Sequence, residues 1–180
     1  MAQFTAFAPG VEVNGETVFS VVAGLGGFEA VARKILADNG IVDPQLANWY
    51  PQQAWLDSFR AIATKVGPTV LFSIGKAIPD HALWPPRITD LDNALPSIDI
   101  AYHMNHRGGD IGIYVYERTG PRTARMVCRN PYPCEFDRGI VTSVARRFKP
   151  QDAAVVDVTH DMTGPCRNNG DDSCRYVVTW

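Results

Sequence analysis

The chain has 180 residues, 46% of them hydrophobic and 20% charged, with a formal net charge of -2. That size suits one domain, expected to span residues 1–180, and that composition suits a soluble protein with a real core. No stretch approaches the roughly 20 apolar residues of a membrane span, and the densest basic spot, Arg146, Arg147 and Lys149, reads as a solvated helix end, so neither membrane insertion nor nucleic-acid binding is expected. The N-terminal MAQFTAFAPG lacks the basic start and apolar run of a signal peptide, which points to a cytoplasmic protein. In that compartment four cysteines are more often metal ligands or reactive thiols than disulfides.

Residues 17–38 carry Val18, Val21, Val22, Leu25, Phe28, Val31, Ala32, Ile35 and Leu36 at helical spacing. Gly24, Gly26 and Gly27 predict a kink or a close contact in the middle, and Asn39-Gly40 ends the helix. A second helix is expected over 51–66, with Trp55, Leu56, Phe59, Ile62, Ala63 and Val66 buried. A short third covers 68–78, and a fourth covers 90–106, with Leu91, Leu95, Ile98 and Tyr102 on one face and Pro96 starting or kinking it. After Arg107-Gly108-Gly109 the period changes to two. DIGIYVYER reads as a strand, with TARMVCRN as its hairpin partner across Thr119-Gly120-Pro121. Helical spacing returns over 134–148, and AAVVDVTH and CRYVVTW close the chain as two more strands. The expected fold is α+β: N-terminal helices on a four-stranded antiparallel sheet, with one further helix between the strand pairs.

Three cysteines punctuate turns instead of filling core positions. Cys134 sits at a helix start, where unpaired N–H groups and the helix dipole favour the thiolate that binds metal. Cys166 and Cys174 flank the Gly170-Asp171-Asp172 turn. Zinc takes thiolate, imidazole or carboxylate ligands, usually four in a tetrahedron. The fourth ligand is open among Asp161, His160 and Cys128.

The segment CRNNGDDSCRYVV, with the Pro-Cys helix start of NPYPCEFDRG, resembles the closing motif of the 4-vinyl reductase domain family. It is especially similar to that of the sensor domains of phenol- and xylene-responsive activators, over about 50 C-terminal residues. The resemblance implies a zinc held by Cys134, Cys166 and Cys174, with zinc in a structural role. The family places a Glu three residues before the first loop cysteine. This chain has Thr163 there, so Asp161 is taken as the fourth ligand, with His160 next. The resemblance further implies a fold related to nitric-oxide-sensor and Golgi-tethering domains, an apolar pocket for a small hydrophobic or aromatic ligand, and often a dimer. The related activators carry an ATPase module and a helix-turn-helix. This chain has neither and would relay its state to a separate signalling partner.

His103 and His106, three apart in AYHMNHRGG, could share a metal or a haem, or cap the helix end. Met104 reads as core. Trp84, His103, His106, Tyr114 and Tyr116 are the expected pocket residues, the His and Tyr groups supplying hydrogen bonds to a phenol-like or carboxylate group. Glu135 and Asp137 read as complements to the helix dipole, so no catalytic pair emerges. A zinc-stabilised sensor or carrier is the leading reading. The rivals are a protein binding haem or another tetrapyrrole, and a non-catalytic interaction subunit.

Overall fold

The computed structural model describes residues 3–180. Met1 and Ala2, the first two residues of the segment read for a leader, lie outside the described residues. Strand β1 (Glu12–Asn14) leads into α1 (Gly15–Leu25), whose N-terminus is capped by Asn14 Oδ1 accepting the Thr17 N–H at 3.0 Å. The expected 17–38 helix is in fact two. Gly26, at φ 52°, ends α1 in a conformation that favours glycine, and one 3₁₀ turn later α2 (Glu29–Asp38) begins. Strand β2 (Trp49–Pro51) and helix α3 (Gln52–Lys65) follow, then α4 (Thr69–His81) and α5 (Leu91–Met104).

Helix α4 runs three residues past the expected end, taking Pro79 into its last turn, and packs against both α1 and α6 (Cys134–Arg147). Helix α5 opens on an Asp90 cap to the Asn93 N–H at 2.9 Å and carries Pro96 within it. Its expected end at residue 106 is two residues too long, because His106–Arg107 forms β3. The strands β1, β2 and β3 make a small antiparallel sheet, ordered β2-β1-β3, that the residue pattern did not reveal. Strands of two and three residues are too short to show a period.

The main sheet is the expected four-stranded antiparallel one, built from β4 (Ile113–Gly120), β5 (Thr123–Arg129), β6 (Asp157–His160) and β7 (Cys174–Thr179) in the order β4-β5-β7-β6. Helix α6 lies between the two strand pairs in sequence, as the pattern predicts. Only the second half of AAVVDVTH is strand, and Val155 is 70% exposed. Alternation along β5 turns Ala124, Met126 and Cys128 inward, toward a core that includes Trp55, Phe59, Phe136 and Tyr176.

Candidate metal centre and buried pocket

The bent segment Asn130-Pro131-Tyr132-Pro133 delivers Cys134 to the first turn of α6. The segment is set by Asn130 Oδ1, which accepts the Tyr132 N–H at 2.9 Å. Cys174 opens β7 opposite Cys128 of β5. Between Cys166 and Cys174 the chain makes one 3₁₀ turn, closed by Gly170 at φ 93°, and Asp171 Oδ2 accepts the Cys166 N–H at 2.8 Å. These elements bring Cys134, Cys166, Cys174 and His160 together, with one ligand atom from each within 4.8 Å of all the others.

All four cysteines of the chain are free thiols. Cys134 Sγ lies 3.8 Å from Cys166 Sγ and 3.0 Å from Cys174 Sγ. Four bonds of about 2.3 Å around a tetrahedral zinc place sulfurs about 3.8 Å apart. The buried Nε2 of His160 has no hydrogen-bond partner among the described residues, whereas buried imidazole nitrogens are normally satisfied. Three thiols around an unsatisfied imidazole suit a Cys3His metal site. The His160 ring also stacks on Tyr176 at 5.0 Å.

Asp161 is not part of this cluster. Neighbouring residues of an extended chain point to opposite sides, and Asp161 points outward, where it pairs with Arg175 at 3.1 Å and accepts from the Thr163 N–H and hydroxyl. The position expected of Asp161 is filled by His160. Cys128 is buried nearby on β5 but stands outside the group of four.

Beside the sulfurs lies a charge pair that the residue pattern concealed. Arg167 is 3% exposed and Asp137 is fully buried. Arg167 is bonded to Asp137 Oδ2 and to both oxygens of Asn130, with 2.6 Å to the main-chain one. Its main-chain N–H and its Nε each donate to Cys174 Sγ at 3.4 Å. The Cys174 thiol is pulled down by the hydrogen bond from Cys134 and by Arg167, while that same bond and burial push Cys134 up. Burial raises the Asp137 carboxyl in spite of Arg167 and Tyr114, and Asp137 in turn keeps Arg167 charged against its own burial. Asp137 is therefore an interior counter-ion, not the dipole complement expected of it. Glu135, which pairs with Arg138 at 2.6 Å, keeps a surface role.

A pocket beside α6 is lined by Trp84, Tyr102, His106, Tyr114, Tyr132 and Phe136, together with Ile78, Ile98 and Ile140. The cavity measures about 40 Å³, room for a few waters, and its walls must part to admit a ring, since a benzene-binding cavity is on the order of 150 Å³. His106 hangs from the end of α5, its Nδ1 on the Tyr102 carbonyl at 2.8 Å and its Nε2 on the Tyr132 hydroxyl at 2.6 Å. Burial drives its pKa down to about 4, so the imidazole is neutral. With Nδ1 donating to the carbonyl, Nε2 accepts from Tyr132. The Trp84 indole N–H, on the same wall, is buried without a hydrogen-bond partner among the described residues.

Of the expected pocket residues, Trp84, His106 and Tyr114 line this space. His103 does not. It is in the last turn of α5, whereas His106 lies past the helix end in β3, and it sits at the surface beside Asp99, Ile100 and Met104 with Nδ1 on the Asp99 carbonyl at 2.9 Å. The two histidines therefore cannot share a metal. Met104, expected in the core, is 38% exposed on the same surface. Tyr116 is also absent from the pocket, its hydroxyl held by Asp92 at 2.6 Å. Tyr102, Tyr132, Asp137 and Arg167 were missed. Tyr102 had been placed in the helix pattern as a core residue, and the Arg167–Asp137 contact spans 30 residues with no local signal.

The architecture is α+β, helices on an antiparallel sheet with a polar-tipped cavity among them. More particularly, it is the fold of H-NOX domains. An H-NOX protein from S. oneidensis in the Fe(II) ligation state superposes with a TM-score of 0.67 at 17% identity, covering 92% of this chain and 95% of that one. An H-NOX from K. algicida gives 0.62 at 10% identity over 92% and 95%, and one from T. tengcongensis gives 0.60 at 14% over 92% and 94%. No family model matches the chain, and no curated protein matches it by sequence.

Proposed function

We propose that this chain is a small-molecule-binding sensor domain that encloses one compact aromatic molecule and is held together by a structural zinc. The observation that carries the reading is the cavity lined by a neutral His106, by Tyr132 and by Trp84, whose indole N–H has no partner among the described residues, with aromatic and aliphatic walls around them. Such a wall suits a phenol-like hydroxyl, which can accept from the Trp84 indole and donate to the Tyr132 oxygen, whose own proton is held by His106. The Cys3His cluster supports the zinc, as does the resemblance of the C-terminal motif to that of phenol-sensor domains. In this reading residues 1–180 work as one cytoplasmic domain without enzyme activity, passing its state to a second copy or to a signalling partner rather than to nucleic acid.

Calorimetry with phenol tests the pocket. One phenol per chain is expected, with affinity at least tenfold weaker in His106→Leu and reduced in Trp84→Phe. No binding by phenol or its methyl and chloro derivatives would sink the pocket reading.

A second reading, tetrapyrrole binding, is favoured by the fold itself. Similar structures are described in terms of haem and its distortion, and one S. oneidensis H-NOX is described in an Fe(II)NO state. His106 offers an imidazole at the pocket wall. The residues as arranged here do not fit haem, however. The cavity would have to open much further for a macrocycle than for one ring, His106 Nε2 is already engaged by Tyr132, and no Lys or Arg among the described residues lines the space to meet two carboxylates. Adding haemin separates the readings: a sharp Soret band that His106→Ala abolishes would replace the phenol-type ligand with a tetrapyrrole.

A further inference from the structure

The candidate metal cluster and the pocket are joined by buried hydrogen bonds with Arg167 at their centre, one branch continuous to Tyr114 and the other passing through the body of Tyr132. Toward the cluster, Arg167 donates twice to Cys174 Sγ, at 3.4 Å each. Toward the pocket the set divides. One branch runs through Asp137, whose Oδ1 accepts the Tyr114 hydroxyl at 2.6 Å. The other runs through Asn130 to the Tyr132 N–H, and the Tyr132 hydroxyl meets His106 Nε2 at 2.6 Å. Tyr114, Tyr132 and His106 all face the pocket. A surface ion pair would be replaced by water when disturbed. These groups have no water to turn to, since Asp137 and Asn130 are fully buried and Arg167 nearly so. A shift at one end must therefore be matched along the chain or leave a buried group unsatisfied.

We infer that Arg167 is a positioning residue that couples the two sites, so that metal at the Cys134–His160–Cys166–Cys174 cluster and an aromatic molecule in the pocket each strengthen the other's hold. The inference deepens the proposed function and rests on it. Its sign follows from order. An ion that fixes Cys174 Sγ fixes Arg167, and through it the Tyr114 and Tyr132 groups that a ligand meets. The ligand then binds a wall already set, and by linkage it returns the same factor to the metal.

Zinc transfer from the loaded protein to a chromogenic chelator, with and without saturating phenol, tests the coupling. Phenol is expected to slow release by about fivefold or more, the lower end of ordinary couplings between sites. The ratio of the two rates is the quantity read, so changes in either site alone cancel. In Arg167→Lys, which keeps the charge and loses the fork, the ratio falls toward one. Asp137→Asn serves the same purpose should the lysine variant not fold. A wild-type ratio of one, with phenol bound by calorimetry, overturns the coupling and leaves the pocket reading intact. A ratio unchanged in the variants overturns it too. Should phenol not bind, the pocket reading fails separately. The coupling is then read by exchanging zinc for the larger cadmium and following ring resonances. His106 and Tyr114 must move while His103 and Tyr116, outside the network, do not; unmoved His106 and Tyr114 overturn it. A protein that takes up no zinc overturns both readings.

Discussion

A buried imidazole with both nitrogens bonded is costly to charge, and His106 shows how one residue sets a pH response. Its pKa falls from the ordinary 6.5 to about 4 because burial removes water from the charged form. The unfolded chain therefore binds a proton that the folded one refuses between those two values. His106 supports the fold fully above pH 6.5, and its contribution is lost as pH falls through about 4, on the order of 3 kcal/mol across the window. Urea unfolding at pH 7 and pH 4.5 should show wild type losing more stability than His106→Gln, and parallel losses would contradict the assignment. The residue scale is also where the sequence was least legible. His103 and His106 carry the same side chain three positions apart, yet one faces solvent and the other the pocket. Asp137, in the first turn of α6, looks like an ordinary dipole complement until Arg167 arrives from 30 residues away.

Between elements, the closest approach is that of α4 to α6, and glycine makes it possible. A Cβ on Gly75 would collide with the Phe136 carbonyl, and one on Gly139 with the Phe72 carbonyl. The two helices thus meet backbone to backbone, which fixes α6 and with it Cys134, Phe136 and Asp137. Gly75→Ala should destabilise by about 3 kcal/mol or more, since the obstructing atom is main chain and cannot turn aside. Gly27→Ala, with nothing within 4 Å of the added carbon, is the control and should be neutral or slightly stabilising. Thermal unfolding of the pair measures both. The helices with strong apolar spacing, α3, α5 and α6, were legible in the sequence to within two residues at either end. So was the β4–β5 hairpin, where alternation and a Gly-Pro turn agree. The break between α1 and α2 was foreseen only as a kink, because the glycines mark flexibility without specifying the φ of 52° that Gly26 adopts.

At the scale of the whole molecule, the four candidate ligands come from the start of α6, the end of β6, the loop after it and the start of β7. These parts come from separate stretches of the chain between residues 134 and 174, so an ion bound there would cross-link them. Ligands that are assembled only in the folded chain make metal affinity into folding energy. Zinc at about a thousand times its Kd contributes about 4 kcal/mol, which in a chain of this size moves Tm by roughly 10 °C. The motif made the three cysteines readable, because turn residues around them explain their spacing. The choice of Asp161 over His160 for the fourth position could not be made from the pattern, because which of two adjacent side chains turns inward depends on the pairing of β6 with β7, and His160, which joins the three cysteines, lies opposite Tyr176 in that register. The comparison of variants is direct. His160→Ala and Cys166→Ser should lose zinc in native mass spectra and melt roughly 10 °C lower, whereas Asp161→Ala, which breaks only an outward pairing with Arg175, should keep one zinc per chain and most of its Tm. Zinc retained by His160→Ala and lost by Asp161→Ala would return the carboxylate to the ligand set and undo the inward placement of the imidazole.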